Sequence, residues 1–261
     1  MLGLGPHGVA QAAGRADVGH TVIAVDSSMP ERAQALSLGE APFYAPGLQE
    51  LLERTLATGR LTFTSDYADA AGADVHFLCV GTPQLQGEYA ADLTWVDAAV
   101  EALAPLLSRP ALVVGKSTVP VGTAARLRRR LQQVAPAGQD VHLMWNPEFL
   151  REGFAVQDTL TPDRFVYGVT GPGADDDVAR LDQVYATPLA TGMPRLVTDL
   201  PTAELVKAAA NSFLATKISF INAMAEVCEA THADVKKLSE ATSHEPRIGG
   251  RFRHPGIACA G

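Results

Sequence analysis

Short runs of β-branched and aliphatic residues alternate with helical patterns along most of this 261-residue chain. Five such runs predict strands, at 21–25, 61–64, 75–80, 112–114 and 141–145. Between them, apolar residues recur at helical spacing at 30–38, 48–56, 93–107 and 123–134, with Ser28 and Asp92 as expected helix caps. This alternation predicts a doubly wound α/β domain, in which a parallel sheet is covered by helices on both faces.

The pattern changes in the last quarter of the chain. Two more strand candidates, 165–167 and 195–197, precede a helical stretch at 201–230 that has no internal glycine or proline. A helix of about 30 residues extends over about 45 Å, so we expect it to bridge domains or subunits. We therefore predict a first domain at 1–199 and the beginning of a helical domain at 200–261.

A glycine-rich turn opens the first helical segment. Gly3, Gly5 and Gly8 form a G-x-G-x-x-G pattern, and Asp26 ends the next predicted strand. In this context the pattern is typical of a dinucleotide site, where a pyrophosphate approaches a helix N-terminus and the carboxylate binds a ribose diol. A carboxylate disfavours a 2′-phosphate, so we expect NAD rather than NADP. Only Met1 and Leu2 precede Gly3, whereas a central strand needs about five residues, so most of the first strand is expected to be missing.

Composition argues against several classes of function. With 29 acidic and 21 basic residues, the chain has a net charge of -8, which disfavours nucleic acid as a partner. The basic run at 126–130 is expected on a solvated helix face. Three cysteines and seven scattered histidines indicate neither a disulfide framework nor a metal site. No signal sequence or membrane-spanning stretch is evident, so we expect a cytoplasmic protein that does not bind membranes.

Four further segments carry the strongest functional signal. They read Gly-Thr-Pro at 81–83, Lys-Ser-Thr-Val-Pro-Val-Gly at 116–122, Asn-Pro-Glu-Phe-Leu-Arg-Glu-Gly at 146–153 and Glu-Leu-Val-Lys-Ala-Ala-Ala-Asn at 204–211. With 43–48, 162–164 and 213–222, they closely resemble the UDP-glucose/GDP-mannose dehydrogenase family in order and spacing, across essentially the whole chain. The resemblance implies a Rossmann-like NAD-binding domain, the start of an all-α central dimerisation domain, and a C-terminal UDP-binding domain that this sequence does not contain.

Polar residues of these segments follow predicted strands, at the edge where open α/β sheets bind ligands. Thr82, Thr118 and Glu148 each come shortly after a strand. The resemblance implies that Glu148 is the base for thioester hydrolysis, helped by Thr118, and that Thr82, Thr118 and Glu152 contact the cofactor. Substrate contacts are implied for the residues that follow the base, namely Phe149, Leu150 and Arg151.

Lys207 and Asn211 are four residues apart and therefore share one face of the long helical segment. A cation beside an amide can stabilise an alkoxide or a tetrahedral oxyanion, and the neighbouring alanines favour a partly desolvated site. The resemblance implies that both residues act in catalysis and substrate binding. It also implies that Arg247 reaches the substrate of a partner subunit.

An apolar stripe on the same segment favours a homodimer. Its members recur at spacings of three and four, and they are Leu214, Ile218, Ile221 and Ala225. Burial of this stripe inside its own chain is the alternative.

The implied reaction oxidises a sugar C6 alcohol to a carboxylate with two NAD, through an aldehyde, a cysteine thiohemiacetal and a thioester. The family's pattern leading to its cysteine begins here at Arg247, but without gaps the nucleophile would fall two residues beyond Gly261. Cys259 aligns with an aromatic residue of the family and is not expected to act as the nucleophile. Arg15 likewise stands where the family usually has an apolar residue. We therefore expect a chain that is truncated at both ends and inactive by itself.

Alternatives to this function stay open at this point. UDP-glucose is the favoured substrate, because the stretch from Lys207 through 233–235 is most similar to that branch. GDP-mannose and UDP-N-acetylhexosamine dehydrogenases share most of the motifs. A fragment that binds NAD without catalysis, or that only associates through its long helix, is the alternative from another class.

Overall fold

Strands and helices form where the periodicities predict them, within a few residues. The protein is represented by a computed structural model, which describes residues 1–151 and 153–249. The strands are β1 Val22–Val25, β2 Leu61–Thr64, β3 Val75–Leu78, β4 Ala111–Gly115, β5 Val141–Trp145, β6 Phe165–Val169 and β7 Arg195–Asp199. The helices are α1 Pro6–Asp17, α2 Pro30–Ser37, α3 Leu48–Ala57, α4 Thr94–Leu103, α5 Thr123–Val134, α6 Ala155–Leu160, α7 Ala174–Val184, α8 Ala186–Leu189, α9 Leu200–Thr231 and α10 Val235–Ser243.

Residues at the start of the chain occupy the centre of the sheet. β1 pairs in parallel with β2, and β3 and β4 each pair in parallel with the next strand. Leu2 bridges both β1 and β3, since its N–H donates to the Phe77 carbonyl at 2.8 Å while Gly3 N–H donates to the Val25 carbonyl at 2.9 Å. The glycine-rich turn therefore starts at the carboxyl edge of the sheet, between these two strands.

The last two strands depart from the predicted parallel arrangement. β6 runs antiparallel to β5, with Trp145 opposite Gly168, and β7 is parallel to β6. A parallel return needs a crossover that runs back along the sheet, and the six-residue α6 between β5 and β6 is too short for one. α6 packs on α1 instead, where a Cβ at Gly14 would lie 2.5 Å from Thr159 Cγ2.

One of the two expected helix caps is also different. α2 begins after Met29 and α4 after Leu93, and neither residue makes a side-chain cap. Ser28 instead donates its hydroxyl to Asp26, and Asp92 accepts the N–H of Thr94 at 2.9 Å. The Ser28 cap was wrong, because its side chain satisfies the loop before α2. The Asp92 carboxylate does accept an N–H at the start of α4, since Thr94 is the first residue of that helix.

The hydrophobic core lies against the central strands. Every residue of β4 is buried, and Trp145, Tyr167 and Tyr185 are fully buried around it. Gly115 ends β4 and makes room for the indole, because a Cβ there would lie 2.0 Å from Trp145. This packing fixes the start of the loop that follows β4.

Two compact units make up the described chain, and they divide between Leu205 and Val206, inside α9. The domain boundary near residue 199 remains a prediction. None of the helices within the described residues is long and apolar enough to cross a membrane.

α9 has an uneven distribution of apolar side chains. Of the predicted stripe, Ile221 is buried, whereas Leu214, Ile218 and Ala225 are half-buried. The large side chains left exposed are different ones, with Phe213 at 66%, Phe220 at 52% and Val227 at 51%.

Candidate active site

The glycine-rich turn is shaped by steric exclusion at two of its three glycines. Gly3 has a φ of 100°, and a Cβ there would lie 3.0 Å from the Cys79 backbone. A Cβ at Gly8 would lie 1.9 Å from the Gly3 carbonyl oxygen, whereas one at Gly5 would meet nothing within 4 Å. The turn thus closes tightly at both ends and stays open in front of α1, which fits the pyrophosphate of a dinucleotide at the helix N-terminus.

Asp26 is fixed beside this turn. Its Oδ2 accepts the N–H of Leu4 at 3.1 Å, and its Oδ1 accepts the N–H and hydroxyl of Ser28 at 3.1 and 2.6 Å. The carboxylate is buried at the carboxyl end of β1, 8% exposed. These hydrogen bonds hold the carboxylate at the strand end where the motif predicts a group that binds a ribose diol.

The loops that follow β3 and β4 are tied together by hydroxyl groups. Thr82 Oγ1 donates to the Thr118 carbonyl at 2.7 Å, and Ser117 Oγ donates to the Val80 carbonyl at 2.6 Å. Both predicted threonines are half-buried at the expected edge of the sheet. The structure therefore brings Thr82 and Thr118 together.

Glu204 fastens the far end of the second loop. Gly122, the residue before α5, has a φ of 97° and offers no side-chain cap. The buried Glu204 carboxylate takes that place, accepting the N–H groups of Gly122 at 2.7 Å and Ala124 at 2.6 Å. A carboxylate at a helix N-terminus satisfies orphan donors and interacts favourably with the helix dipole.

Four donors surround the carboxylate of Glu148. Its Oε1 accepts the backbone N–H groups of Phe149 at 2.7 Å and Leu150 at 2.9 Å. Its Oε2 accepts Gln11 Nε2 at 2.9 Å and lies 3.4 Å from the Lys116 ammonium. The Glu148 N–H donates to the Lys116 carbonyl at 3.2 Å, which joins the loops after β4 and β5.

Glu148 is ionised at neutral pH. Burial by itself would raise the pKa of this carboxyl, but the Lys116 ammonium, His7 and the two backbone N–H groups together lower it. Burial likewise opposes the charge of Lys116, yet Tyr185 and Glu148 raise its pKa. A deprotonated carboxylate in this position can accept a proton from a bound water.

Lys116 is in turn held by a buried polar cluster. Its ammonium donates to Asn146 Oδ1 at 3.1 Å and to the Tyr185 hydroxyl at 3.4 Å. The Tyr185 hydroxyl donates to the same Asn146 oxygen at 2.6 Å, and Asn146 Nδ2 donates to the Val166 carbonyl at 3.0 Å. The ammonium group that pairs with Glu148 is therefore anchored in the core.

The residues after Glu148 use their N–H groups within the loop. Besides the donors of Phe149 and Leu150, Arg151 N–H binds Asp158 at 2.8 Å, and the Arg151 guanidinium pairs with the same carboxylate. The side chain of Leu150 is buried in the core. Among residues 149–151, the carbonyl groups and the side chains of Phe149 and Arg151 are therefore suited to hold a substrate.

Lys207 and Asn211 lie on α9 in the second unit, four residues apart as predicted. Lys207 is buried and Asn211 half-buried. Arg247 is exposed and pairs with Glu245 at 2.8 Å. Their convergence with Thr118 and Glu148 remains a prediction, while Glu152 and Cys259 lie outside the described residues.

Several residues of this site are not predicted as functional from the sequence. They are Gln11, Arg15, Lys116, Asn146, Tyr185 and Glu204. Two signals were present. Gln11 and Arg15 form a polar pair, four residues apart, on an alanine-rich helix. Lys116, Asn146 and Glu204 each begin one of the motif segments described above, whereas no local pattern indicates Tyr185.

Most of the chain matches models of known protein families. Residues 1–188 match the family model for the NAD binding domain of the UDP-glucose/GDP-mannose dehydrogenase family. Residues 201–261 match the model for the central domain of the same family.

Individual relatives agree with this assignment. The chain is 41% identical over its whole length to the UDP-glucose 6-dehydrogenase of Rhizobium meliloti and 38% identical to UDP-glucose 6-dehydrogenase TuaD of Bacillus subtilis, spanning 59% and 55% of their lengths. A UDP-glucose dehydrogenase structure from Pyrobaculum islandicum is 39% identical, with a TM-score of 0.91 over 98% of this chain and 58% of that one. A GDP-mannose dehydrogenase structure from Pseudomonas aeruginosa, 28% identical, has a TM-score of 0.87 over 98% of this chain and 59% of that one.

The chain thus spans rather more than half the length of these relatives. The two family models together cover nearly every residue. The first includes the glycine turn and the loops that follow the strands, and the second includes most of α9. The chain belongs to the UDP-glucose/GDP-mannose dehydrogenase family, and its first 188 residues are the NAD-binding domain of that family.

Proposed function

We propose that this chain supplies the NAD-binding and base-carrying part of a nucleotide-sugar dehydrogenase. The reaction converts UDP-glucose, two NAD and water to UDP-glucuronate and two NADH. One observation carries the proposal: the helix that starts at the open glycine turn also donates, through Gln11, to a carboxylate kept ionised by buried Lys116.

UDP-glucose is favoured over other nucleotide sugars by the degree of similarity. Relatives named UDP-glucose 6-dehydrogenase are up to 41% identical, whereas the GDP-mannose dehydrogenase and UDP-D-ManNAc dehydrogenase structures are 28% and 26% identical. Oxidation of GDP-mannose or of a UDP-N-acetylhexosamine is therefore the alternative.

The first unit provides the cofactor site. The turn at Gly3, Gly5 and Gly8 receives the pyrophosphate, and Asp26 binds the ribose diol. Thr82, Thr118 and Glu152 complete the site towards the nicotinamide, which accepts the hydride when NAD is bound. The hydrogen bond between Thr82 and the Thr118 carbonyl keeps these loops in register.

The remaining residues bind and activate the substrate. Glu148 removes a proton from a water that Thr118 orients, and Lys207 with Asn211 stabilises the oxyanion that forms. Substrate contacts come from Phe149, Leu150, Arg151, Lys207, Asn211 and Arg247. The rigid four-donor setting of Glu148 supports the first of these roles.

Asp26→Ala tests the cofactor site. The substitution should weaken NAD binding by roughly 1 to 3 kcal/mol, because hydrogen bonds to a charged partner are lost. Titration of NAD and NADP against both proteins measures this, with exposed Asp66→Ala as the control. A parent protein that prefers NADP would contradict the assignment.

We further propose that this chain alone does not complete the second oxidation, which needs a reactive thiolate to hold the aldehyde. Burial raises the pKa of Cys79 to about 11, so this sulfur is a protonated thiol at neutral pH. Cys228 is buried on α9. NADH formation from UDP-glucose by the purified chain tests the point, compared with a chain extended by the family's remaining segments. Sustained turnover by the unextended chain would overturn the proposal and bring Cys259 into question.

The second unit is proposed to form a homodimer through α9. Its exposed Phe213, Phe220 and Val227 recur every seven residues and so fall along one face of the helix. Sedimentation at micromolar concentration should give a dimer that Phe220→Asp disrupts and exposed Glu226→Ala leaves intact. A monomeric parent would rule out this interface. The same surface is what a non-catalytic association fragment would use.

A further inference from the structure

Arg15 is a buried cation at a position where an apolar residue was expected. It is 4% exposed on α1, and its guanidinium lies 4.3 Å from the centre of the Tyr185 ring. Its Nη2 donates to Gln11 Oε1 at 2.9 Å, one helical turn earlier. Stacking on an aromatic ring together with a hydrogen bond accounts for a guanidinium in the core.

Gln11 connects Arg15 to the carboxylate of Glu148. It is 3% exposed, and its Nε2 donates to Glu148 Oε2 at 2.9 Å and to Thr159 Oγ1 at 3.3 Å. A glutamine amide can present either its oxygen or its nitrogen to a neighbour. Because a guanidinium only donates, Arg15 selects the orientation in which Gln11 Oε1 faces the cation and Nε2 faces Glu148.

We propose that Arg15 and Gln11 are positioning residues that set the orientation and proton affinity of Glu148. The two backbone donors occupy Oε1, so Oε2 is the oxygen whose environment side chains control. Arg15 reaches this oxygen through the Gln11 amide, which lies between the guanidinium and the carboxylate. Since Gln11 lies on the helix that begins at the glycine turn, the element that receives the cofactor also holds the base.

This inference rests on the proposed role of Glu148 as a base, but its test needs neither substrate nor turnover. The chain is labelled with carbon-13 in its glutamate carboxyl groups and titrated by NMR, with Glu148→Gln identifying the signal. Arg15→Met and Gln11→Met remove the donors at nearly constant volume. Each should raise the pKa of Glu148 by about half a unit to one unit. Gln11→Met removes a hydrogen bond to the charged carboxylate, and Arg15→Met removes the cation that orients that hydrogen bond.

Two further variants separate positioning from structural support. Arg54→Met is the control, because Arg54 on α3 is exposed and pairs with Asp17 at the end of α1, the helix that carries Arg15. This substitution should leave the Glu148 titration unchanged. Arg15→Lys keeps a donor-only cation and should return the pKa towards its parent value. A lowered melting temperature with an unchanged Glu148 pKa in both methionine variants would overturn the proposal.

A measurement on the parent protein covers the case in which a variant does not fold. With nitrogen-15 in the glutamine amides, the Gln11 side-chain signal should titrate with the same midpoint as Glu148. An amide signal that does not respond over this range would also overturn the proposal. Loss of the proposed enzymatic reaction, by contrast, would leave all of these titrations unaffected.

Discussion

The two edges of the sheet differ in how their buried polar side chains are paired. At the carboxyl edge, Asp26 and the Lys116–Glu148 pair have charged or hydrogen-bonding partners. At the amino edge, a pocket of 560 Å³ is bordered by Met1 and His76. Within the described residues, Nε2 of the buried His76 has no hydrogen-bond partner.

This difference also determines which groups stay charged. Burial is the main cause that lowers the pKa of the Met1 amine to about 6 and that of His76 to about 4, so His76 is neutral near pH 7. At the carboxyl edge, by contrast, neighbouring donors overcome burial and keep Glu148 ionised. The comparison teaches that neighbouring donors keep a buried carboxylate charged at the carboxyl edge, whereas burial keeps His76 neutral at the amino edge.

Lys116→Met should lower the free energy of unfolding more than any other substitution considered, because it removes a partner from a buried polar group, as at His76 on the amino edge. It leaves Glu148 buried without its cation, and breaking one side of a buried ion pair costs about 4 kcal/mol. Denaturant unfolding measures the loss. Arg109→Met, which removes an exposed ion pair with Asp74, is the control and should cost less than about 1 kcal/mol. Equal losses in the two variants would contradict the comparison.

The next largest effect concerns His76 at the amino edge and is measured as the pH dependence of the free energy of unfolding. The folded-state pKa of His76 lies near 4, below its ordinary 6.5, so the unfolded chain binds the proton first as pH falls. The contribution of neutral His76 to the free energy of unfolding is fully present above pH 6.5. It declines towards pH 4, by about 3 kcal/mol in total. His76→Phe should remove this part of the acid sensitivity, whereas exposed His244→Phe should retain it. Parallel pH profiles for parent and His76→Phe would show that burial does not neutralise this group.

Glu204→Gln should have a smaller effect at the carboxyl edge. The amide keeps one acceptor but places an NH₂ group against a backbone N–H of α5, which should cost about 2 kcal/mol. Thermal unfolding measures it against Glu101→Gln, which alters an exposed pair with Arg130 and should cost less than about 1 kcal/mol. Unchanged stability in Glu204→Gln would mean that the cap contributes nothing.

Thr82→Val should have the smallest effect. It removes one half-buried hydrogen bond of 2.7 Å to the Thr118 carbonyl, worth about 1 kcal/mol. The matched control is Thr62→Val, whose hydroxyl contacts the Val22 carbonyl at only 3.5 Å. Proteolysis of the loop after β4 should accelerate in Thr82→Val alone, and equal rates in both variants would show that the tie does not order the loop.

Local patterns predicted much of the architecture and part of the site. All seven strands within the described residues and the long helix at 200–231 follow from the pattern of apolar residues. The glycine turn and Asp26 follow from a short motif whose steric reasons are visible at Gly3 and Gly8. Thr82 and Thr118 could be placed at the carboxyl edge because each follows a strand.

Other features depend on contacts that no local pattern encodes. The antiparallel β6 follows from the short connection through α6, and the pattern of the β6 residues is the same in either direction. Ser28 was expected as a cap from its type, but its hydroxyl binds Asp26 instead, whereas Asp92 accepts the first N–H of α4 as expected.

The sequence by itself determined the order of strands and helices, the dinucleotide turn and the family, because each rests on neighbours or on motifs of fixed spacing. Only the tertiary structure decided how Glu148 is held, because its partner Gln11 is 137 residues away along the chain. Arg15 shows the same limit: its type conflicts with an apolar helix until the ring of Tyr185 lies against its guanidinium. Burial makes unpaired charge costly, so the roles of these polar residues are determined by partners that only folding brings within reach.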